Sequence, residues 1–132
     1  MSATINYIFK LLIILYSISP AFVAAHHSKA LHFTDQLVTL EGTIRSTKWI
    51  NPHASFVLET KNQDGEIEEW LIELLATIAL RRGGFDFDAM TEGTEITLTG
   101  FLGREEKMID MTEAILPDGR LIIELPDNPY RQ

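Results

Sequence analysis

The chain has 132 residues, of which 45% are hydrophobic and 23% are charged, and it contains no cysteine. This length fits one domain, and the missing cysteines exclude disulfide scaffolds, thiolate metal sites and cysteine nucleophiles. The formal net charge is −8. Because an acidic surface repels phosphate backbones, the composition argues against nucleic-acid binding.

The first 25 residues differ from the rest of the chain in charge and hydrophobicity. Lys10 is their single charged side chain, and the apolar run 11–17 follows it and ends before Pro20. A basic start, a short apolar centre and a small-residue exit at 21–25 are typical of a cleaved signal peptide. The apolar stretch 11–25 is shorter than the ~20 residues of a spanning helix, which disfavours the alternative of an uncleaved anchor. We therefore predict export, with membrane contact only transiently through the signal peptide.

The cleavage point decides which residues form the new N-terminus. Cleavage after Ala25 leaves Val23 at the −3 position and releases a chain that begins at His26. Cleavage after Ala24 would place the bulkier Phe22 at −3 and release a chain that is one residue longer. Residues 26–132 contain 10 basic and 19 acidic side chains, a net charge of −9. The predicted mature protein is therefore a strongly acidic chain with histidine at or next to its free α-amine.

The mature chain alternates between apolar and polar residues in several short segments, which is the pattern of strands with one buried face. Turn-forming pairs such as Asp64-Gly65 separate these segments. One segment, 75–82, changes to helical spacing and stops at Gly83-Gly84. A helical start anywhere from 74 to 77 is compatible with this spacing. The predicted strands span residues 37–48, 54–61, 66–74, 95–102, 108–116 and 120–125.

Three strands, a short helix and two or three further strands follow the element order of an OB-type barrel, in which a helix between strands three and four closes one end. Gly42 and Gly100 lie in mid-strand, where a strand that curls around a barrel needs them. We predict a mainly β fold, a small OB-like β-barrel of five to six strands over residues 26–125, with a polar tail over 126–132. A flat meander packed on one helix is the alternative architecture.

The four histidines of the chain lie within its first 53 residues. His26 and His27 stand at the predicted N-terminus, and His53 stands in the turn after the first strand, which lies at the ligand mouth of an OB-type barrel. An N-terminal arm could bring the three side chains together, and a donor set rich in nitrogen and free of thiolate favours Cu(II). The alternative is a solvated stub of two histidines and a turn histidine bonded to local backbone.

Four further residues are predicted to line the ligand mouth, namely Trp49, Asn51, Arg81 and Arg82. Trp49 could offer a stacking surface, and the two arginines could bind an anion. Simpler interpretations are a core aromatic for Trp49 and a favourable interaction of the arginines with the helix dipole. Both interpretations stay open on the sequence alone.

Motifs for catalysis are missing from the sequence. It contains no Gly-x-Ser-x-Gly, no His-Glu-x-x-His, no phosphate-binding glycine loop and no dinucleotide fingerprint. We therefore expect a binding protein and not an enzyme. The alternative to metal binding is an interaction module that holds a peptide, a glycan or an envelope protein at the ligand mouth.

Several short motifs carry a resemblance to a known family. Residues 25–28 (AHHS), 51–54 (NPHA) and 116–120 (LPDGR) resemble a bacterial domain-of-unknown-function family of small exported proteins that is marked by AHHS and NPHA motifs. The resemblance covers nearly all of residues 25–123. It implies export to the periplasm and a compact β-rich domain with His26, His27 and His53 in the two signature motifs. The chain departs from the family pattern at 74–77, where relatives tend to read Gly-Ser-Pro-Asn, and at Gly84, where they usually carry Trp.

Overall fold

The computed structural model of the protein describes residues 31–105 and 107–124. The predicted signal peptide, 1–25, and the predicted polar tail, 126–132, lie outside the described residues. From His32 onward, the described residues belong to one compact unit. Its elements, in chain order, are β1 (Phe33–Lys48), β2 (Ser55–Lys61), β3 (Ile67–Glu73), α1 (Thr77–Arg82), β4 (Glu95–Gly103), β5 (Met108–Ile115) and β6 (Leu121–Ile123). Within the described part of the chain, no helix is both long and apolar enough to span a membrane.

Five of the strands close into a ring of hydrogen-bonded pairs. The long strand β1 pairs with β2 through its second half and with β4 through its first half, and both pairs are antiparallel. Strands β2 and β3 form a hairpin, β4 pairs with β5, and a parallel pair between β3 and β5 closes the ring. Strand β6 adds to β5 as a short hairpin partner. The predicted mainly β fold with one helix between the third and fourth strands is confirmed, and the closing pair excludes the flat meander.

Two glycines lie where the backbone of a neighbouring strand leaves no room for a side chain. A Cβ atom on Gly42 would contact the backbone oxygen of Glu59, and one on Gly100 would contact the backbone oxygen of Asp110. The register of the β4–β5 pair shifts at Gly100, and that of the β1–β2 pair shifts just after Gly42, between Ile44 and Ser46. The predicted role of both glycines in bending the strands is therefore supported by a steric reason.

The core lies inside the ring and follows the predicted alternation. Phe56 and Leu58 of β2, Ile72 of β3 and Leu98 of β4 are almost fully buried, whereas Val57 between the first two is only partly buried. Burial of one such side chain contributes about 1.5–3 kcal/mol. The structure therefore confirms which face of these strands the sequence predicts to point into the core.

The short helix α1 begins at Thr77 and is held mainly by its packing and its C-terminal cap. Leu80 is fully buried, and no side chain caps the N-terminus. At the other end, the Phe85 N–H donates to the Leu80 carbonyl (3.0 Å) and the Gly84 N–H donates to Arg81 (3.2 Å). Gly84 has a φ of +76°, so this is a Schellman-type ending in which glycine avoids the strain of the left-handed region.

The sequence allows a helical start anywhere from 74 to 77, and the structure has it at Thr77 because the preceding segment has other hydrogen-bond partners. Leu74 donates its N–H to the Ala54 carbonyl, and Ala54 donates its own N–H to the Leu75 carbonyl. The Leu75 N–H is bound by the Glu124 carboxylate at 2.6 Å. These bonds hold the chain after β3 in an extended form and also fasten the end of β6 against it.

Candidate functional site

The loop between β1 and β2, residues 49–54, is anchored against the chain that follows β3. Ala54 at its end is completely buried and forms the two backbone hydrogen bonds with Leu74 and Leu75 described above. In its middle, the Thr77 hydroxyl donates to the Ile50 carbonyl at 2.9 Å. The loop is therefore held against the N-terminus of α1 by hydrogen bonds. Asn51 and His53 are exposed residues of this loop.

His53 points to the outer surface of the ring, where it meets a carboxylate. Its Nδ1 atom lies 3.1 Å from Oε1 of Glu73, with 44% of the His53 side chain and 23% of the Glu73 side chain exposed. A carboxylate beside Nδ1 favours a proton on that nitrogen and leaves the lone pair on Nε2. The imidazole is thereby oriented with an acceptor nitrogen available for a ligand.

The sequence analysis missed Glu73 as the partner of His53. Glu73 is one of three acidic side chains of β3 and lies, partly buried, on the outer face of that strand. In the β2–β3 hairpin, Ser55 stands opposite Glu73, which brings the residue two positions before Ser55 alongside that carboxylate. The turn at 62–65 fixes this register, so counting outward from that turn would have located the pair.

Two of the three predicted metal ligands, His26 and His27, lie outside the described residues. Within residues 31–105 and 107–124, no group of three or more histidine, aspartate or glutamate side chains is arranged to hold a metal ion. The structure brings His53 together with Glu73 and not with a second histidine of this part of the chain. The three-histidine site stays a prediction.

Trp49 belongs to an aromatic cluster at the start of the same loop. Its ring meets Phe85 at 5.9 Å and Phe87 at 5.2 Å between centroids, both edge to face, and the two phenylalanines meet at 5.1 Å. Such geometry is the favoured arrangement of aromatic pairs. Trp49 is partly buried and packs against the core, so its simpler interpretation as a core aromatic is supported.

The arginines at the end of α1 differ in their surroundings. Both arginines are exposed, and the Arg81 guanidinium lies over the Phe87 ring, 5.1 Å from its centroid. Both lie in the last turn of the helix, where positive charge is favoured by the helix dipole. Trp49 and Arg81 therefore both contact the Phe87 ring. Binding of a ligand by Trp49, Asn51, Arg81 or Arg82 stays a prediction.

Comparisons with known proteins place the chain in a family. A search of curated proteins finds no match. The model of a family of unknown function (DUF6152) matches residues 14–111, which is well over half of the chain. The matched region includes His26, His27 and the His53–Glu73 pair, and it runs from the predicted signal peptide into β5. The chain belongs to this family of unknown function, DUF6152.

Proposed function

We propose that the protein is a bacterial, periplasmic metal-binding protein that holds a transition metal ion, preferentially Cu(II), through His26 with its free α-amine, His27 and His53. Removal of the signal peptide creates the amine-bearing terminus, and the AHHS and NPHA motifs supply the imidazoles. The observation that carries the proposal is the contact between His53 Nδ1 and Glu73 at 3.1 Å.

That contact reproduces a feature common to metal-binding histidines. A metal-binding imidazole almost always donates a hydrogen bond from its other ring N–H to a carboxylate, a backbone carbonyl or a water molecule. This hydrogen bond fixes the tautomer and raises the basicity of the nitrogen that binds the metal. Glu73 stands in this position toward Nδ1 of His53, and the ring remains 44% exposed. His53 is therefore suited to bind through Nε2 on the solvent side of the loop.

The choice of metal follows from the donor set. The proposed ligands are nitrogen atoms, and the chain has no cysteine that could add a thiolate. Among divalent first-row metals, nitrogen ligands bind Cu(II) most strongly. The acidic surface of the mature chain also attracts cations over longer distances.

We expect Glu73→Gln to weaken Cu(II) binding about tenfold, the lower end of the range for partners that orient a ligating histidine. The measurement is a calorimetric Cu(II) titration of the processed protein at low salt. Glu69→Gln is the matched control, because Glu69 lies on the same outer face of β3 and stands opposite Glu59 instead of contacting His53. An equal decrease in Cu(II) affinity in both variants would mean that the affinity depends only on the net charge of the protein. Glu73 would then have no role in positioning His53. A wild-type dissociation constant no tighter than micromolar would remove the proposed function itself.

A further inference from the structure

Strand β6 forms an open edge of the sheet. It pairs with β5 on one side, and no strand of the described part of the chain pairs with its other side. Natural proteins usually protect such edges with charged residues or proline, which discourage pairing with another chain. The residues of β6, Leu121–Ile123, are all apolar. The edge is therefore short, but its own side chains do not protect it.

Hydrogen bonds at both ends of β6 show which backbone groups point to the open edge. Arg120, just before β6, accepts a backbone hydrogen bond of 2.9 Å from the end of the neighbouring strand, and Glu124, just after β6, donates one of 3.1 Å to β5. Residues that bond to the partner strand alternate with residues whose N–H and C=O point away. Ile122 therefore faces β5, and the backbone groups of Leu121 and Ile123 point to the open edge. Among the described residues, these four groups have no backbone partner.

The side chains beside this edge form an apolar surface. Leu121 is 51% exposed and stands opposite Ile115 of β5, which is 46% exposed. Ile123 is partly exposed on the same outer face, whereas Ile122 between them is buried with the core. An added strand would cover these side chains and bond to the open backbone groups, which is the mode of recognition called β-augmentation.

The order of residues along β6 suits pairing with a second copy of the same strand. When two β6 strands run antiparallel across a two-fold axis at Ile122, Leu121 of each copy faces Ile123 of the other, and the outward backbone groups form four hydrogen bonds. The outward side chains then meet as two apolar cross-strand pairs. Arg120 of each copy stands opposite Glu124 of the other, and opposite charges in facing positions are favourable.

We propose that the open edge of β6 binds the same edge of a second copy of the protein, so that the two sheets become continuous across a two-fold axis. Because only three residues of each copy pair, the interface belongs to the small and weak class, and we expect a dissociation constant on the order of 0.1 mM. The proposal goes beyond metal binding and does not depend on it, because it uses none of the proposed metal ligands.

Hydrogen–deuterium exchange of the purified protein, expressed from its full sequence and resolved to single residues by mass spectrometry, tests the proposal. We expect the N–H groups of Leu121 and Ile123 to exchange about fourfold more slowly at about 1 mM protein than at about 0.01 mM, as the monomer fractions at that dissociation constant require. The N–H of Ile122 should exchange slowly at both concentrations, because it bonds to β5 within one copy. Fast exchange of Leu121 and Ile123 at both concentrations would overturn the proposal, since the edge would then be open. Slow exchange at both would also overturn it, since another part of the same chain would then cover the edge.

Two proline variants make the test specific. Leu121→Pro removes an outward N–H and leaves the hydrogen bonds to β5 intact, because proline is tolerated on the open side of an edge strand. We expect it to weaken dimerisation at least about tenfold, since the dimer loses two of its four hydrogen bonds. Ile67→Pro is the matched control: Ile67 is 62% exposed, and its N–H points away from β2 because the adjacent residue Glu66 bonds to Asn62.

Sedimentation equilibrium at about 0.5 M salt, which screens the repulsion between two acidic chains, measures both variants. Dimerisation of Ile67→Pro should stay within about twofold of the unmodified protein. A protein that is monomeric at about 1 mM, or equal weakening in the two variants, would overturn the proposal.

Discussion

Replacing Gly100 with alanine is expected to lower the free energy of unfolding by about 3 kcal/mol, the upper part of the usual range for overpacking. The added Cβ would collide with the backbone oxygen of Asp110 and with Cγ2 of Ile109. Strand β4 has no room to retreat, because β1 binds it on the side away from β5. Urea denaturation followed by tryptophan fluorescence measures the change.

Gly65→Ala is the control for this prediction. Gly65 has a φ of +82° in the β2–β3 turn, and nothing lies within 4 Å of a Cβ built there. Its replacement should therefore cost only the strain of the left-handed region, about 1 kcal/mol. A loss for Gly100→Ala no greater than that for Gly65→Ala would show that β4 and β5 are not packed as closely as described.

The second large effect is expected on metal binding. His53→Ala should weaken Cu(II) binding by about 100-fold, because loss of a ligand costs at least as much as loss of a group that orients one. Calorimetric titration of the processed protein measures this change. The fold itself should tolerate the substitution, since the His53 side chain is 44% exposed and its ion pair with Glu73 lies at the surface.

His32→Ala is the matched control for His53→Ala. His32 is also an exposed histidine of the described residues, and its backbone carbonyl, which accepts a hydrogen bond from Arg104 at 2.8 Å, is retained in the variant. We expect the affinity of this variant for Cu(II) to stay within about twofold of the wild type. Unchanged binding in His53→Ala would remove His53 from the site and leave a metal site, at most, at the N-terminus.

Much of the fold could be predicted because each strand carries its own signal. The alternation of apolar and polar side chains defines the inward face of a strand without reference to its neighbours, and Phe56, Leu58 and Leu98 are buried as that alternation requires. Gly42 and Gly100 could be recognised from their mid-strand positions alone, although the contacts that require glycine there, with Glu59 and Asp110, come from neighbouring strands. The sequence placed the start of α1 only within 74–77, because the exact start depends on hydrogen bonds of Leu74 and Leu75 to Ala54, which lies about twenty positions earlier in the chain.

The features of the candidate sites that escaped prediction depend on contacts between distant segments. Glu73 meets His53 only because the β2–β3 register sets them side by side. Local patterns define faces and turns, whereas partners across a sheet require the register between its strands.

Native mass spectrometry of the protein purified from the periplasm tests the central claim most directly, because it measures the N-terminus and the bound metal together. The account predicts a chain that begins at His26 or Ala25 and carries one copper ion, with the copper lost in His53→Ala. A chain that retains residues 1–25, or a processed chain that carries no copper when copper is supplied, would contradict it.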